Sequence, residues 1–323
     1  MKIIFWGTPE YSVKTLKNLI NSEHNVLAVV TQPDKKRSRG NKLTFSPIKQ
    51  LAVLNNIPVL CPDKIKNNDT FINSLKSFDS DIFIVIAYGK ILSKEILLIP
   101  KYGCWNAHAS LLPRWRGAAP IHWSLLKGDK NTGVGIMKME EGLDTGDILI
   151  EEKINIKDED NLDSLSNKLS SLSSKLIIDA LEVINKKNLG KNLKLLPQNE
   201  KDIKTTYARM ITKSDYILNL NDSAENISRR INGLYPNAFI RYKNKKVKIT
   251  KIKVIDKNDI QNISQNIEKN PGFILSTIKN VGIVISTKTN PIIICEIKME
   301  GKNFATNNQL IQQMNPKIGD KIY

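Results

Sequence analysis

The chain has 323 residues, of which 41% are hydrophobic and 25% are charged, and Lys and Arg outnumber Asp and Glu by 49 to 32. This length predicts two domains, the composition is typical of a soluble globular protein, and the net charge of +17 favours an anionic partner such as nucleic acid. Three widely spaced cysteines argue against a zinc site or a disulfide framework, and no apolar run is long enough to span a membrane. We therefore expect a cytoplasmic, monomeric protein that binds no metal.

Strands alternate with helices in the first part of the chain. Helix-start signals occur at Pro9, Ser46 and Asp69. This alternation predicts an α/β fold with a doubly wound, mostly parallel, Rossmann-like sheet whose ligand site lies at the carboxyl ends of the strands. The first turn lacks Gly-x-Gly-x-x-Gly, so a dinucleotide is not the expected ligand. Apolar runs predict four buried strands, at Lys2–Trp6, Val26–Thr31, Ile57–Leu60 and Ile82–Ala87.

A basic segment follows the second strand. Five of the eight residues in Lys35–Lys42 are basic, and Ser and Gly separate them. Because the segment follows a strand at the carboxyl edge of the sheet, we expect it to contact RNA; a merely solvated loop is the alternative. The basic residues assigned to this contact are Lys35, Lys36, Arg37, Arg39 and Lys42.

The clearest chemistry lies between residues 103 and 149. Asn106 and His108 are two apart, so in an extended segment their side chains point the same way. Asp144 lies in a separate turn flanked by glycines. An amide donor, an imidazole and a carboxylate suit a reaction that builds negative charge on a carbonyl oxygen while a proton leaves an amine.

Two neighbouring residues are alternative covalent nucleophiles. Ser110 lies outside any Gly-x-Ser-x-Gly turn, and Cys104 lies in a predicted buried strand. Direct transfer from a bound donor is therefore the favoured interpretation, and covalent catalysis by either residue is the alternative.

The remaining part of the chain begins with a long helix. Leucines at helical spacing predict an amphipathic helix over Asn161–Ile184, followed by a polar connector. From Tyr207 onward the chain contains 19 Lys and Arg against 9 Asp and Glu, a net +10. In Lys245–Val254 lysines alternate with Val and Ile, and one phase slip near Thr250 indicates a bulge. Short strands separated by Gly, Pro and Asn predict a small β-barrel, with strands at 238–242, 247–254, 272–277, 282–287 and 292–298.

Two sequence blocks carry a family resemblance. NAHASLLPRWRGAAPI, which begins at Asn106, and GVGIMKMEEGLDTGDIL, which begins at Gly133, resemble the folate-dependent formyltransferases, most closely those whose acceptor is a tRNA-bound methionine. YARMI from Tyr207 and SAENISRRI from Ser223 resemble the start of that family's OB-fold-like, tRNA-binding domain. The resemblance and the polar connector together predict a catalytic domain over 1–185, a linker over 186–206 and a C-terminal tRNA-binding domain over 207–323.

The resemblance implies a donor, an acceptor and a set of residue roles. The donor is 10-formyltetrahydrofolate, the acceptor is the α-amine of methionine on initiator Met-tRNA, and no metal takes part. Asn106 and a protonated His108 stabilise the oxyanion, while Asp144 supports the imidazolium and helps to move the amine proton. For Lys245, Lys246 and Lys248 a tRNA contact is expected from the basic face of their strand, and a merely solvated face is the alternative. The folate pocket is implied for Tyr88, Gly89, Ile91, Leu92, Ser110, Leu111, Leu112, Pro113, Gly142 and Leu143.

Three alternatives remain open. A formyltransferase for a small amine, such as a ribonucleotide or an amino sugar, shares the triad but needs neither the basic segment nor the basic C-terminal region. A formylfolate hydrolase uses the same triad with water as the acceptor. An RNA-binding protein with a vestigial enzyme domain belongs to another class, and an intact triad argues against it.

Overall fold

A computed structural model describes residues 1–37, 42–186, 193–256 and 270–322. The chain forms two compact units. The first comprises Met1–Pro120, Asn131–Asn155 and Leu165–Arg209; the second comprises Ile121–Lys130, Ile156–Ser164 and Met210–Tyr323. The domain boundaries at 185 and 206 stay a prediction. Among the described residues, no helix has the length and apolarity needed to cross a membrane.

The strands up to residue 208 begin and end close to the predicted positions. They are β1 (Lys2–Gly7), β2 (Asn25–Val30), β3 (Lys35–Arg37), β4 (Lys42–Thr44), β5 (Val59–Leu60), β6 (Ile82–Ile86), β7 (Cys104–His108), β8 (Arg116–Gly117), β9 (Asn131–Lys138), β10 (Ile148–Asn155) and β11 (Tyr207–Ala208). The third predicted strand is shorter than expected, with two residues in β5.

Helices alternate with these strands along the chain. Ser46 caps α2 by accepting a hydrogen bond from the Lys49 amide at 3.0 Å, as the Ser-Pro signal predicts. The next helix begins at the predicted Asp69, but its cap is Asn68, which accepts from the Phe71 amide. The helices are α1 (Val13–Ile20), α2 (Pro47–Leu54), α3 (Asp69–Ser77), α4 (Lys94–Leu97), α5 (Pro120–Leu126) and α6 (Leu162–Lys186), with short 3-10 turns at Glu10–Ser12 and Gln198–Glu200.

Seven of the described strands form the main sheet of the first unit, in the order β10-β9-β7-β6-β1-β2-β5. The five strands from β7 to β5 are parallel, and β9 and β10 add an antiparallel edge. This confirms the predicted mostly parallel, Rossmann-like sheet. Apolar side chains from β1 and β6 are buried in a core on one face of this sheet. This core includes Trp6, Phe71, Phe83 and Tyr88. The carboxyl ends of β1, β6 and β7 meet at one edge, and the chemistry lies there.

The second unit is built on an antiparallel sheet of six strands, in the part of the chain for which the sequence predicts a small β-barrel. Its core lies between the sheet and two helices, and it includes Val247, Ile249, Ile294 and Leu310. The register shifts on both sides of Lys251 confirm the predicted bulge next to Thr250. The elements are α7 (Ala224–Gly233), β12 (Phe239–Tyr242), β13 (Lys245–Val254), β14 (Ile274–Ile278), β15 (Gly282–Ile285), β16 (Ile292–Met299), β17 (Phe304–Thr306) and α8 (Asn307–Met314), with a 3-10 turn at Lys213–Tyr216.

Candidate active site

Strand β7 carries the predicted amide and imidazole. It lies between β6 and β9, so its backbone is fixed on both sides. Asn106 and His108 project from the same face of the strand because they are two residues apart. The His108 ring is buried, with 6% of its surface exposed, and Asn106 is half-buried. The side-chain amide of Asn106 makes no hydrogen bond to another residue that the structure describes, so it is available to a ligand.

The two ring nitrogens of His108 have different neighbours. Nε2 lies 2.8 Å from the backbone oxygen of Trp115. Because a carbonyl oxygen only accepts, Nε2 carries a proton. Nδ1 lies 3.6 Å from Asp144 Oδ2, which is close enough for attraction but longer than a hydrogen bond. Nδ1 is therefore the ring nitrogen that faces Asp144, and no hydrogen bond to the carboxylate occupies it.

Asp144 reaches His108 from a tight turn. Its backbone has φ of +52°, a conformation uncommon for residues other than Gly. Its Oδ2 accepts a hydrogen bond from the Gly117 amide at 2.8 Å. A Cβ at Gly146 would lie 1.7 Å from the Lys138 carbonyl oxygen, so only glycine fits at that position. Gly146, two residues after Asp144, therefore allows the close approach of two backbone segments that places the carboxylate beside His108.

The two alternative nucleophiles are both engaged elsewhere. The Ser110 hydroxyl is buried and donates to the Arg114 carbonyl oxygen at 2.6 Å. Cys104 is buried in β7, with its sulfur 3.7 Å from the Leu97 carbonyl oxygen. Burial raises the pKa of the Cys104 thiol, which disfavours the reactive thiolate. These contacts favour direct transfer over a covalent intermediate.

The residues implied for the folate pocket fall into two groups. Leu112 is fully buried against Met137 and Ile148, and Pro113 is also buried, so with Ser110 they set the shape of the loop after β7. Leu111 is half-buried in the same loop.

The second group lies on two neighbouring loops and is more accessible. Ile91 is 73% exposed and Leu143 is 50% exposed, although both are large apolar side chains. An exposed ion pair of 3.3 Å forms between Lys94, the first residue of α4, and Glu141, which lies two residues before Leu143. Gly142 is exposed beside Leu143, whereas Leu92 is buried. Ile91 and Leu143 are therefore exposed apolar side chains on two segments that approach each other at this ion pair.

Tyr88 and Gly89 follow the carboxyl end of β6. Two hydrogen-bond partners of Tyr88, Thr8 and Gln32, are not predicted from the sequence. The Tyr88 carbonyl oxygen accepts from the Gln32 amide at 3.0 Å and from the Thr8 hydroxyl at 3.4 Å. The Tyr88 ring is buried against Trp6, and burial raises the pKa of its hydroxyl. Thr8, Gln32 and Tyr88 thus tie together the ends of β1, β2 and β6, with Gly89 at φ of +82° after them. Their spacing in the sequence is too wide to reveal this contact.

Comparison with known proteins identifies the family. The model described as "Formyl transferase" matches residues 1–181, and "Formyl transferase, C-terminal domain" matches residues 210–315. The chain belongs to the formyl transferase family. A relative named "Methionyl-tRNA formyltransferase" from Prochlorococcus marinus (strain MIT 9215) is 58% identical over 99% of both chains.

Solved structures share the fold of this formyl transferase at low identity. HypX from Aquifex aeolicus aligns with a TM-score of 0.64 at 14% identity; the alignment covers 99% of this chain and 49% of HypX, so the chain spans about half of that protein. An N-formyltransferase from Helicobacter canadensis, solved with folinic acid and dTDP-3-aminofucose, has a TM-score of 0.62 at 17% identity and coverage of 93% and 100%. These likenesses concern the fold.

The second unit of this formyl transferase has a basic surface on its sheet. Lys246 and Lys248 project from one face of β13, whereas Val247 and Ile249 on the other face are buried in the core. Lys245 falls on the opposite face from Lys246 by alternation and is exposed at the strand end. Partial burial, together with the charges of Lys246 and Lys298, lowers the pKa of Lys248.

Cross-strand partners that the sequence did not reveal complete this surface. Arg241 on β12 pairs with Lys246, and Lys298 on β16 pairs with Lys248. We call Arg241, Lys246, Lys248 and Lys298 the cationic surface. Like charges at this spacing repel one another, so a bound anion stabilises the cluster.

The basic segment after β2 is partly described. Its described residues form two antiparallel strands, in which Lys35 pairs with Thr44, Lys36 with Leu43 and Arg37 with Lys42. Arg39 lies outside the described residues. Among the residues that are described, no group of three His, Cys, Asp or Glu side chains could hold a metal ion.

Proposed function

We propose that the chain transfers the formyl group of 10-formyltetrahydrofolate to the α-amine of methionine esterified to initiator tRNA. The observation that carries this proposal is the 58% identity over 99% of both chains with a protein named "Methionyl-tRNA formyltransferase". The neighbouring Asn106, His108 and Asp144 supply an oxyanion donor, a titratable ring and a carboxylate that this chemistry needs.

The reaction proceeds by direct attack. The methionine nitrogen attacks the formyl carbon, a C–N bond forms, and the carbonyl electron pair becomes an oxyanion. The Asn106 amide and the Nδ1–H of His108 donate to that oxygen, while Asp144 stabilises the imidazolium at 3.6 Å. The amine proton passes to Asp144 through water. When the intermediate collapses, the bond to the folate N10 breaks, N10 takes that proton from Asp144 through water, and tetrahydrofolate leaves.

The donor binds at the carboxyl edge of the main sheet. Ile91 and Leu143 are exposed apolar side chains near the Lys94–Glu141 ion pair, and they suit the faces of a pterin ring. Tyr88 and Gly89 supply backbone groups beside them. The loop from Ser110 to Pro113 shapes the pocket wall through its own packing.

The acceptor is held largely through phosphates. Lys246 and Lys248 on the cationic surface, with Lys245 at the strand end, bind the tRNA backbone, and this attraction is salt-sensitive. The basic segment with Lys35, Lys36, Arg37, Arg39 and Lys42 guides the aminoacyl end. We place this reaction in the cytoplasm, carried out by a monomer without a metal.

One assay tests the proposal against its rivals. The full chain is incubated with 10-formyltetrahydrofolate labelled in the formyl group and with Met-tRNA, free methionine or an amino-sugar nucleotide as acceptor. We expect rapid label transfer to Met-tRNA and little to either small amine. Faster transfer to a small amine would support a small-amine formyltransferase, release of labelled formate would support a hydrolase, and tRNA binding without transfer would support an RNA-binding protein.

A further inference from the structure

Gln198 is a buried polar side chain in a segment that the sequence predicts to be a linker. Only 3% of its surface is exposed, although its neighbours Asn199 and Glu200 in the same 3-10 turn are exposed. Two backbone hydrogen bonds between Leu196 and Ile148, at 2.8 and 2.9 Å, anchor the segment next to β10 just before this turn. A fully buried Gln amide must satisfy its donors and acceptor within the protein.

The Gln198 amide makes four hydrogen bonds. Its Oε1 accepts from Arg116 Nε at 3.0 Å and from Arg116 Nη2 at 2.7 Å. Its Nε2 donates to the carbonyl oxygen of Asp144 at 2.9 Å and to that of Gly146 at 2.7 Å. A guanidinium only donates and a carbonyl oxygen only accepts, so the orientation of the amide is determined.

These bonds join the two segments that contact the imidazole. Arg116 stands between Trp115, whose carbonyl oxygen contacts His108 Nε2, and Gly117, whose amide donates to Asp144 Oδ2. On the other side, Gln198 holds the turn that carries Asp144. The Asp144 carboxylate is thus fixed at its tip by Gly117 and at its backbone by Gln198.

We propose that Gln198 is a positioning residue that holds the Asp144 turn against Arg116, so that the carboxylate stays beside His108. The Asp144 backbone is left-handed, a conformation that relaxes readily unless neighbouring contacts restrain it. The two hydrogen bonds from Gln198 supply that restraint. This inference rests on the proposed function, in which Asp144 supports the His108 imidazolium during formyl transfer.

Two substitutions distinguish the acceptor half of the Gln198 amide, Oε1, from its donor half, Nε2. Gln198→Glu keeps the size and the acceptor for Arg116 but sets an oxygen against the carbonyl oxygens of Asp144 and Gly146. Gln198→Met removes both halves at similar volume. Because a misplacement on the order of 1 Å costs about 10²-fold in rate, we expect kcat to fall about 10²-fold in Gln198→Glu and about 10-fold in Gln198→Met. KM for both substrates should not change, and Asn199→Ala in the same turn should match the unmodified protein.

A double-mutant cycle distinguishes positioning from general loosening. Single-turnover transfer at high enzyme concentration and the melting temperature are measured for Gln198→Met, Asp144→Asn and the pair. If Gln198 acts through Asp144, the pair transfers formyl at the rate of Asp144→Asn alone. A further loss in the pair equal to that of Gln198→Met alone, or a loss accompanied by a raised KM for the folate donor, would overturn the inference.

The same series separates this inference from the proposed function. Full transfer in Asp144→Asn would remove Asp144 from the mechanism and the inference with it. A large loss in Asp144→Asn together with normal kcat in both Gln198 variants would overturn the role of Gln198 alone. If the Gln198→Met protein does not fold, the inference is tested with Gln198→Glu alone. That variant keeps the hydrogen bonds to Arg116.

Discussion

Replacing Asp144 with Asn removes one negative charge while the side chain keeps its shape. The Asn oxygen can still accept from the Gly117 amide, which lies 2.8 Å from Oδ2. Asp144→Asn therefore tests the charge that faces His108 and not the fold of the turn. Asp147→Asn is a matched control, because its carboxylate has no hydrogen-bond or ion-pair partner among the described residues.

The size of the effect follows from the separation of the two groups. At 3.6 Å, a carboxylate and an imidazolium attract by about 4.6 kcal/mol at an effective dielectric constant of about 20. His108 is buried and the Asp144 side chain is 17% exposed, so this dielectric constant suits the pair. Only the share that grows in the transition state affects the rate. If that share lies between half and the whole, turnover falls by about 50-fold to about 2 × 10³-fold.

Single-turnover transfer of labelled formyl to Met-tRNA measures this loss directly. The affinity for the folate donor, measured separately, should not change, because the charge acts on the reacting centre. Transfer within about 3-fold of the unmodified rate, a difference below 1 kcal/mol, would refute the role of the carboxylate.

Three further results are expected. Gly146→Ala should destabilise the protein by about 1–3 kcal/mol and reduce turnover, because its Cβ would lie 1.7 Å from the Lys138 carbonyl oxygen; melting curves and single-turnover rates check this. Lys246→Gln with Lys248→Gln should weaken Met-tRNA binding and lower the slope of log affinity against log salt by about 1–2, without changing folate affinity; an unchanged slope would remove the cationic surface from the tRNA site. Dialysis against a chelator should leave transfer intact, and a loss restored by zinc would contradict a metal-free mechanism.

Local sequence signals predict the first unit well. Apolar runs bounded by Gly and Pro match β1, β2 and β6 because a parallel strand is buried on both faces. The period-two spacing of Asn106 and His108 correctly places both on one face of β7. In β13, lysine and apolar residues alternate with a period of two residues, which likewise matches one basic face and one core face.

Contacts between distant segments were not predictable from spacing. Gln198 and Thr206 lie in a stretch that reads as a polar linker, yet Thr206 Oγ1 accepts from the Trp115 amide at 2.9 Å. Arg241 and Lys298 join the cationic surface only because antiparallel register brings them beside β13. In each case the partner is set by the tertiary fold, which local pattern and propensity do not encode.

The central claim is direct formyl transfer to tRNA-bound methionine, and a two-step mixing experiment tests it. The full chain is first mixed with 10-formyltetrahydrofolate labelled in the formyl group, then with Met-tRNA, and label is followed in protein, formate and tRNA. After denaturation we expect no label covalently attached to the protein, and no formate before the second addition, then one formyl group transferred per bound donor. Label that stays on the denatured protein, or formate released before tRNA is added, would contradict direct transfer.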